Sequence, residues 1–242
     1  MFINWMIDLA FVLRAFHSKG GLHRDIKPEN ILLKGRHIYL SDFGLATLGP
    51  NVSGLPASVS GTERYKAPEM KTSGVYSRKA DVFSLGCILL ELLVMLNDID
   101  LREFHNFRQS WGRGNCARSD DTCYRHNIPA IEYFMDNFVK KAPGFDYISQ
   151  TVRQMLSPTV RSRPSADVVW KELLRGARMV EGFEKKGCCT GNPKKAGYSN
   201  ASVNSLTDAF AGMSLEETKI LGKELDWGKI FKRGKLFKKA PY

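Results

Sequence analysis

The sequence predicts a mainly α-helical domain with one small β-hairpin, followed by a poorly structured basic extension. Three patterns carry this reading. Apolar side chains recur at Trp5, Leu9, Leu13 and Phe16, the three-to-four-residue spacing of a helix with one buried stripe. The runs Ile31-Leu32-Leu33 and Ile38-Tyr39-Leu40 flank Lys34-Gly35-Arg36-His37, the form of a hairpin with a Gly in its turn. Residues 80–96, ADVFSLGCILLELLVML, are apolar on nearly every face, so that helix belongs inside a protein with others around it.

In chain order, the first helix covers 4–18 and stops at Gly20-Gly21, as C-terminal glycines do. After the hairpin, Leu48 to Gly61 turns to Gly, Pro, Ser and Asn, a loop signal. The stretch 97–127 mixes charges, Trp111 and glycines without periodicity and reads as an irregular insertion. Helical patterns return at 129–139 and 146–156, and Pro164 sits near the start of a further helix reaching about Arg175, where its fixed φ is tolerated. Beyond residue 177 the character changes. Residues 185–206 are rich in Lys, Gly, Ser and Asn, a linker composition. A short amphipathic stretch follows at 205–225, then GKIFKRGKLFKKAPY with six basic residues and no acid. The domain therefore occupies 1–177 and the basic linker and tail 178–242.

Composition excludes several classes. An apolar fraction of 43% rules out general disorder. The most apolar run, Leu85 to Leu96, carries Glu91 and is shorter than the roughly 20 residues a bilayer requires, so no transmembrane segment is expected. The first 16 residues are apolar but lack a basic n-region and include Asp8, a poor fit to a secretory signal. Five Cys, with no CxxC pair, argue against a disulfide framework and for a reduced intracellular setting, cytoplasmic or nuclear. No repeat of 20–50 residues is present, which excludes solenoids and propellers. The net charge of +11 favours acidic partners without identifying one.

Chemistry-bearing residues cluster early. From Leu22 the chain reads LHRDIKPENILL, with SDFG at 41–44, GTERYKAPE at 61–69, Asp81-x-x-Ser84-x-Gly86 opening the buried helix, and Arg163-Pro164. In these motifs, their order and their spacing, the chain resembles the eukaryotic protein kinase family over roughly residues 4–175. Lys27 within DIKPEN and the Gly61-Thr62 step are similar to its serine/threonine branch. The resemblance implies the large C-terminal lobe of the protein-kinase fold, ATP and Mg²⁺ as cofactors, and a protein substrate.

The roles it implies suit a reaction that mainly requires positioning and charge neutralisation. Asp25 would accept or orient the proton of the substrate hydroxyl, and Lys27 would place a cation near the γ-phosphate. Asn30 and Asp42 would hold Mg²⁺, and they flank the hairpin, one before it and one after. Leu32 would lie under the adenine ring. His23 and Phe43 would pack as a hydrophobic spine, Asp81 would brace the catalytic-loop backbone, and Glu69 would pair with Arg163. Arg24 would pair with a phosphorylated residue of the activation segment Leu45–Lys66, Ser58 or Ser60 being favoured. Thr62 is expected to hydrogen-bond with Asp25 and Lys27.

The family's small lobe carries a Gly-rich loop, a Lys strand and a helix Glu. None is found in these 242 residues, and the expectation is a truncated, small-lobe-lacking kinase whose phosphate site would be open to water unless a partner completes it. The competing expectation is a catalytically silent lobe that captures substrates or regulators. In the tail, Lys229, Lys232, Arg233, Lys235, Lys238 and Lys239 alternate with Ile230, Phe231, Leu236 and Phe237, a pattern able to contact an anionic membrane, nucleic acid or an import receptor.

Overall fold

The structure, a computed structural model, describes residues 1–34, 37–49, 55–56, 62–72, 75–111 and 122–183. The hairpin turn, Ser58, Ser60 and the basic tail lie outside the described residues. Helix α1 runs Phe2–Ser18 and is closed by Gly20, whose φ of +85° is the left-handed conformation that glycine adopts without strain. Strands β1 (Ile31–Lys34) and β2 (His37–Leu40) pair antiparallel, Ile31 opposite Leu40. The two-residue strands β3 (Leu55–Pro56) and β4 (Val75–Tyr76) pair likewise, on either side of the short α2 (Glu69–Thr72).

Helix α3 (Arg78–Leu96) is the centre of the fold, and every residue from Ala80 to Met95 is buried. A helix with no polar face has no side to offer water, so other elements must surround it. Around it stand α1, α4 (Leu101–Ser110) and α6 (Pro143–Met155), with α5 (Ile128–Phe138) against α4 and α7 (Ala166–Arg178) against α1 and α6. The helices α6 and α7 approach closely at Gly144 and Gly176. A Cβ on Gly144 would meet the Gly176 carbonyl oxygen at 2.7 Å. One buried ion pair locks the layers, Arg163 Nη1 and Nη2 donating to the two oxygens of Glu69 at 2.6 and 2.7 Å. The Arg163 side chain is fully buried, so removing Glu69 would leave its charge uncompensated.

One expectation is overturned. Residues 97–127 are not an irregular insertion throughout, because α4 occupies 101–110 and a 3₁₀ turn occupies Tyr124–His126. Asp100 caps α4, its carboxylate accepting the Arg102 N–H at 2.7 Å, and Leu101, Phe104 and Arg108 line its buried face. Arg108 hides the helical period: a charged side chain fills a position where an apolar one would have marked the stripe. Its guanidinium lies 4.0 Å from the centre of the Tyr124 ring, and such a stacked cation can be taken inside.

Candidate active site

The site forms where two turns that are poor in regular structure are held by residues from α3. Leu22 bridges to Thr47 by paired backbone hydrogen bonds of 2.9 Å. The chain after it departs from ordinary geometry, with Arg24 at φ +72°. A non-glycine residue in that region costs on the order of 1–3 kcal/mol and persists only where its surroundings over-determine it. The surroundings here are the Asp81 carboxylate, which accepts the His23 N–H at 2.8 Å and the Arg24 N–H at 2.9 Å. Asp81 also accepts bonds from His17 Nε2 at 2.9 Å and the Tyr76 hydroxyl at 2.7 Å. Burial alone would raise its pKa, but the bond and charge of His17, with the other donors, outweigh burial and hold it below the ordinary carboxylate value.

The His23 ring is fully buried beside Phe43, centroids 4.9 Å apart, and Phe16 closes the stack at 5.2 Å from Phe43. Burial pushes the His23 imidazole below its usual pKa, favouring the neutral ring. Its Nε2 lies 3.2 Å from the Ser41 carbonyl oxygen and its Nδ1 accepts the Asp25 N–H at 3.4 Å. The proton is thereby assigned to Nε2.

Asp25 is the hub of the loop. Lys27 Nζ lies 2.7 Å from its Oδ2, and Asn30 Nδ2 donates to the same oxygen at 3.2 Å and to the Asp25 carbonyl at 2.8 Å. On the other side Thr62 donates to Oδ1 through its N–H at 3.1 Å and, more weakly, its hydroxyl at 3.4 Å. Both carboxylate oxygens are therefore held, and the group cannot rotate freely. The structure brings Arg24, Asp25, Lys27, Asn30 and Thr62 together. Lys27 engages Asp25, and Thr62 bonds to Asp25 alone of that expected pair.

The hairpin carries the next part. Asn30 precedes β1 and Ser41 follows β2, and they are tied by the Ser41 N–H and hydroxyl donating to the Asn30 carbonyl at 2.8 and 3.0 Å. Asp42, one residue on, therefore lies at the same end of the hairpin as Asn30. Asp42 is exposed at φ +59°, with Oδ1 accepting the Gly44 N–H at 3.2 Å. Leu32 is half-buried in β1.

The donor set can be tested against a divalent ion. Asn30 uses its N–H₂ on Asp25, which leaves Oδ1 as its ligand atom, and Asp42 adds a hard carboxylate. Among the described residues no group of three or more His, Cys, Asp or Glu gathers at one point. The Asn30 and Asp42 oxygens are both hard ligands of the kind that can hold Mg²⁺ when phosphates and water supply the remaining ligands.

Sequence reasoning missed a second ring of residues. Arg125, whose side chain is 2% exposed, reaches the 3₁₀ turn Glu63–Tyr65 that follows Thr62. Its Nη2 donates to Glu63 Oε2 at 2.7 Å, and its Nη1 donates to the carbonyls of Glu63 and Lys66 at 3.0 and 3.4 Å. Lys66 donates to the other Glu63 oxygen at 2.7 Å. These bonds, Lys66 first, hold the Glu63 carboxyl at about 2. Nothing in the spacing of 62–66 and 125 announces this contact. His17 did carry a signal, a polar residue four positions after Leu13 on the buried stripe of α1.

Comparison with known proteins identifies the family. A family model for the protein kinase domain matches residues 2–174. The chain is 33% identical over 194 residues to the interferon-induced, double-stranded RNA-activated protein kinase of Rattus norvegicus, covering 75% of this chain and 33% of that protein. It is 29% identical over 208 residues to the serine/threonine-protein kinase Nek2 of Mus musculus, 83% of this chain and 43% of that one. An Aurora kinase of Dictyostelium discoideum is 37% identical over 112 residues, 44% and 29% of the two chains. The chain thus spans less than half the length of the curated relatives it matches. Among the described residues no single helix is long and apolar enough to cross a membrane. A family match over most of the chain, on a helical lobe whose hairpin ends beside the catalytic-loop motif, makes this chain a member of the protein kinase domain family.

Proposed function

We propose that the chain carries the catalytic-loop lobe of an ATP- and Mg²⁺-dependent serine/threonine protein kinase, which transfers the γ-phosphate to a Ser or Thr hydroxyl of a protein substrate. The observation that supports this most is the Asp25 carboxylate, fixed on one oxygen by Lys27 and Asn30 and on the other by Thr62. A carboxylate so oriented presents a defined acceptor to an incoming hydroxyl, and positioning of this kind is most of what phosphoryl transfer asks of a protein. Asn30 Oδ1 and the Asp42 carboxylate are the oxygens that would hold Mg²⁺, whose charge offsets that of the phosphates. Lys27, 2.7 Å from Asp25, would place its cation near the γ-phosphate. Leu32 would form part of the adenine floor. Arg24 would receive a phosphate on Ser58 or Ser60 in a regulated form, and Thr62 would report the state of that segment to Asp25. We read 1–177 as the lobe and 178–242 as a basic extension suited to anionic surfaces, with an intracellular setting, cytoplasmic or nuclear.

The test is phosphate transfer from ATP to a Ser/Thr peptide by the purified chain, with Asp25→Asn beside it. The expected result is a loss of about 10²–10⁴-fold in turnover, with the melting temperature held within a few degrees. Undiminished turnover in Asp25→Asn overturns the reading. Peptide binding without Mg-ATP binding or turnover would instead support a silent lobe that captures substrates or regulators.

A further inference from the structure

The segment that reaches Asp25 is short, and among the described residues its local support is one turn and the Lys66–Glu63 pair at 2.7 Å. Thr62 is followed by one 3₁₀ turn, Glu63–Tyr65, and then by extended backbone at Lys66. A single 3₁₀ turn is a weak element. It is held from three places: α3, whose Ser84 hydroxyl donates to the Tyr65 carbonyl at 2.9 Å, α4, and residues 124 and 125 just before α5, some sixty residues further along. Arg125 grips it through a carboxylate and two backbone carbonyls. Tyr124, the adjacent residue, stacks on Tyr65 with centroids 5.5 Å apart and shares the Glu91 carboxylate with it. Arg64 Nη2 donates to His105 Nε2 on α4 at 2.8 Å. Three successive residues of the turn, 63, 64 and 65, are each tied to the same sector.

We infer that Arg125 is a positioning residue for Asp25: its buried guanidinium fixes the Glu63–Lys66 backbone, and through it the Thr62 N–H that holds Asp25 Oδ1. The inference rests on the proposed kinase reading for its catalytic meaning, while the positioning itself is a property of the fold. Surface ion pairs contribute little, but here the guanidinium end is buried, and it is Arg's fork geometry that reaches carboxylate and carbonyls together. Lysine would keep the charge and lose the fork. Arg125 touches none of Lys27, Asn30 and Asp42 among its hydrogen bonds, so its effect belongs to substrate presentation and not to nucleotide binding.

The experiment compares the full chain with Arg125→Lys, Arg125→Ala and, as a control, Arg153→Ala, which breaks an exposed pair with Asp136 on the far helices. Amide hydrogen exchange is read for residues 62–67 and for α3, alongside peptide phosphorylation. Faster exchange at 62–67 in both Arg125 variants, with α3 unchanged and Arg153→Ala like the parent, supports the inference. So does a fall in kcat on the order of tenfold to a hundredfold, the scale of a misplacement of about 1 Å, with the KM for ATP within about twofold. Unchanged exchange at 62–67 in Arg125→Ala overturns it, and so does loss of α3 protection in Arg125→Lys, which would make the residue a general prop of the fold. A parent chain that neither binds Mg-ATP nor transfers phosphate counts against the kinase reading alone, and exchange then decides the positioning.

Discussion

Two carboxylates lie ten residues apart on α3, both buried, Asp81 at 0% and Glu91 at 3% exposure, and their environments drive them in opposite directions. Asp81 receives four donors spread over both oxygens, two of them backbone N–H groups, and its pKa falls. Glu91 receives two hydroxyls, from Tyr65 and Tyr124, on the single atom Oε1, while Arg64 and Arg108 act only at a distance. Burial outweighs these and its pKa rises. Burial is the same for both, so the difference lies in the number and kind of donors. The same contrast separates their duties. Asp81 braces the backbone at His23 and Arg24, and Glu91 joins Tyr65 of the segment behind Thr62 to Tyr124.

Replacing Asp81 should have the largest effect. In Asp81→Asn one acceptor oxygen becomes an N–H₂ facing donors, orphaning buried N–H groups of His23 or Arg24. The expected loss is about 3–5 kcal/mol, or roughly 6–20 °C in melting temperature for a domain of this size, measured by thermal and denaturant unfolding. A loss under about 1 kcal/mol would mean that the brace is decorative and would break the comparison.

The second effect concerns His105, which sits beside Glu91. Burial, then the charges of Arg64 and Arg108, depress its pKa to about 3. It accepts the Arg64 bond on Nε2, and its Nδ1 has no partner among the described residues. Its folded value lies below the ordinary 6.5, so the unfolded chain binds the extra proton and stability falls as pH drops below about 6.5. The slope approaches about 1.4 kcal/mol per pH unit once below that value. His105→Gln should flatten the acid limb of a stability–pH curve between about pH 6 and 4, and an unchanged limb would show that the ring is protonated in the folded protein.

The smallest effect is expected at Glu91→Gln. A neutral side chain of the same length keeps an acceptor for the tyrosine hydroxyls, and the folded protein already disfavours the charge. The change should lie within about 1 kcal/mol at neutral pH. Because the folded Glu91 pKa is raised above the ordinary 4.5, the parent should gain stability relative to the variant as pH falls toward 4.5. Asp81 has the opposite sign, its contribution being kept above about pH 3.8 and lost as pH falls further. Equal losses in Asp81→Asn and Glu91→Gln would erase the distinction between the two sites.

Much of the fold was legible because the relevant patterns are local. The stripe of α1, the paired runs of the hairpin and the all-apolar α3 each announce themselves within a window of about twenty residues. The helix α4 did not, because Arg108 occupies a core position, made tolerable by the Tyr124 ring and by a bond to the Thr122 carbonyl at 3.0 Å. Within the site, Asp25, Lys27 and Asn30 fall in one eight-residue motif, and their mutual bonds follow from the turn they share. The link from Arg125 to Glu63 crosses 62 positions, and no pattern within either segment encodes it.

By itself the sequence determined the inventory: the loop residues at 23–30, the carboxylate at 42, the helix that must be central and the charged end after 177. Tertiary structure alone decided which buried charge is stabilised and which is strained, since that depends on donors arriving from distant segments. It also decided what holds Thr62 against Asp25. The physical reason is that backbone propensity and hydrophobic period act over a few residues, whereas the desolvation of a charge is settled by every atom that replaces its water.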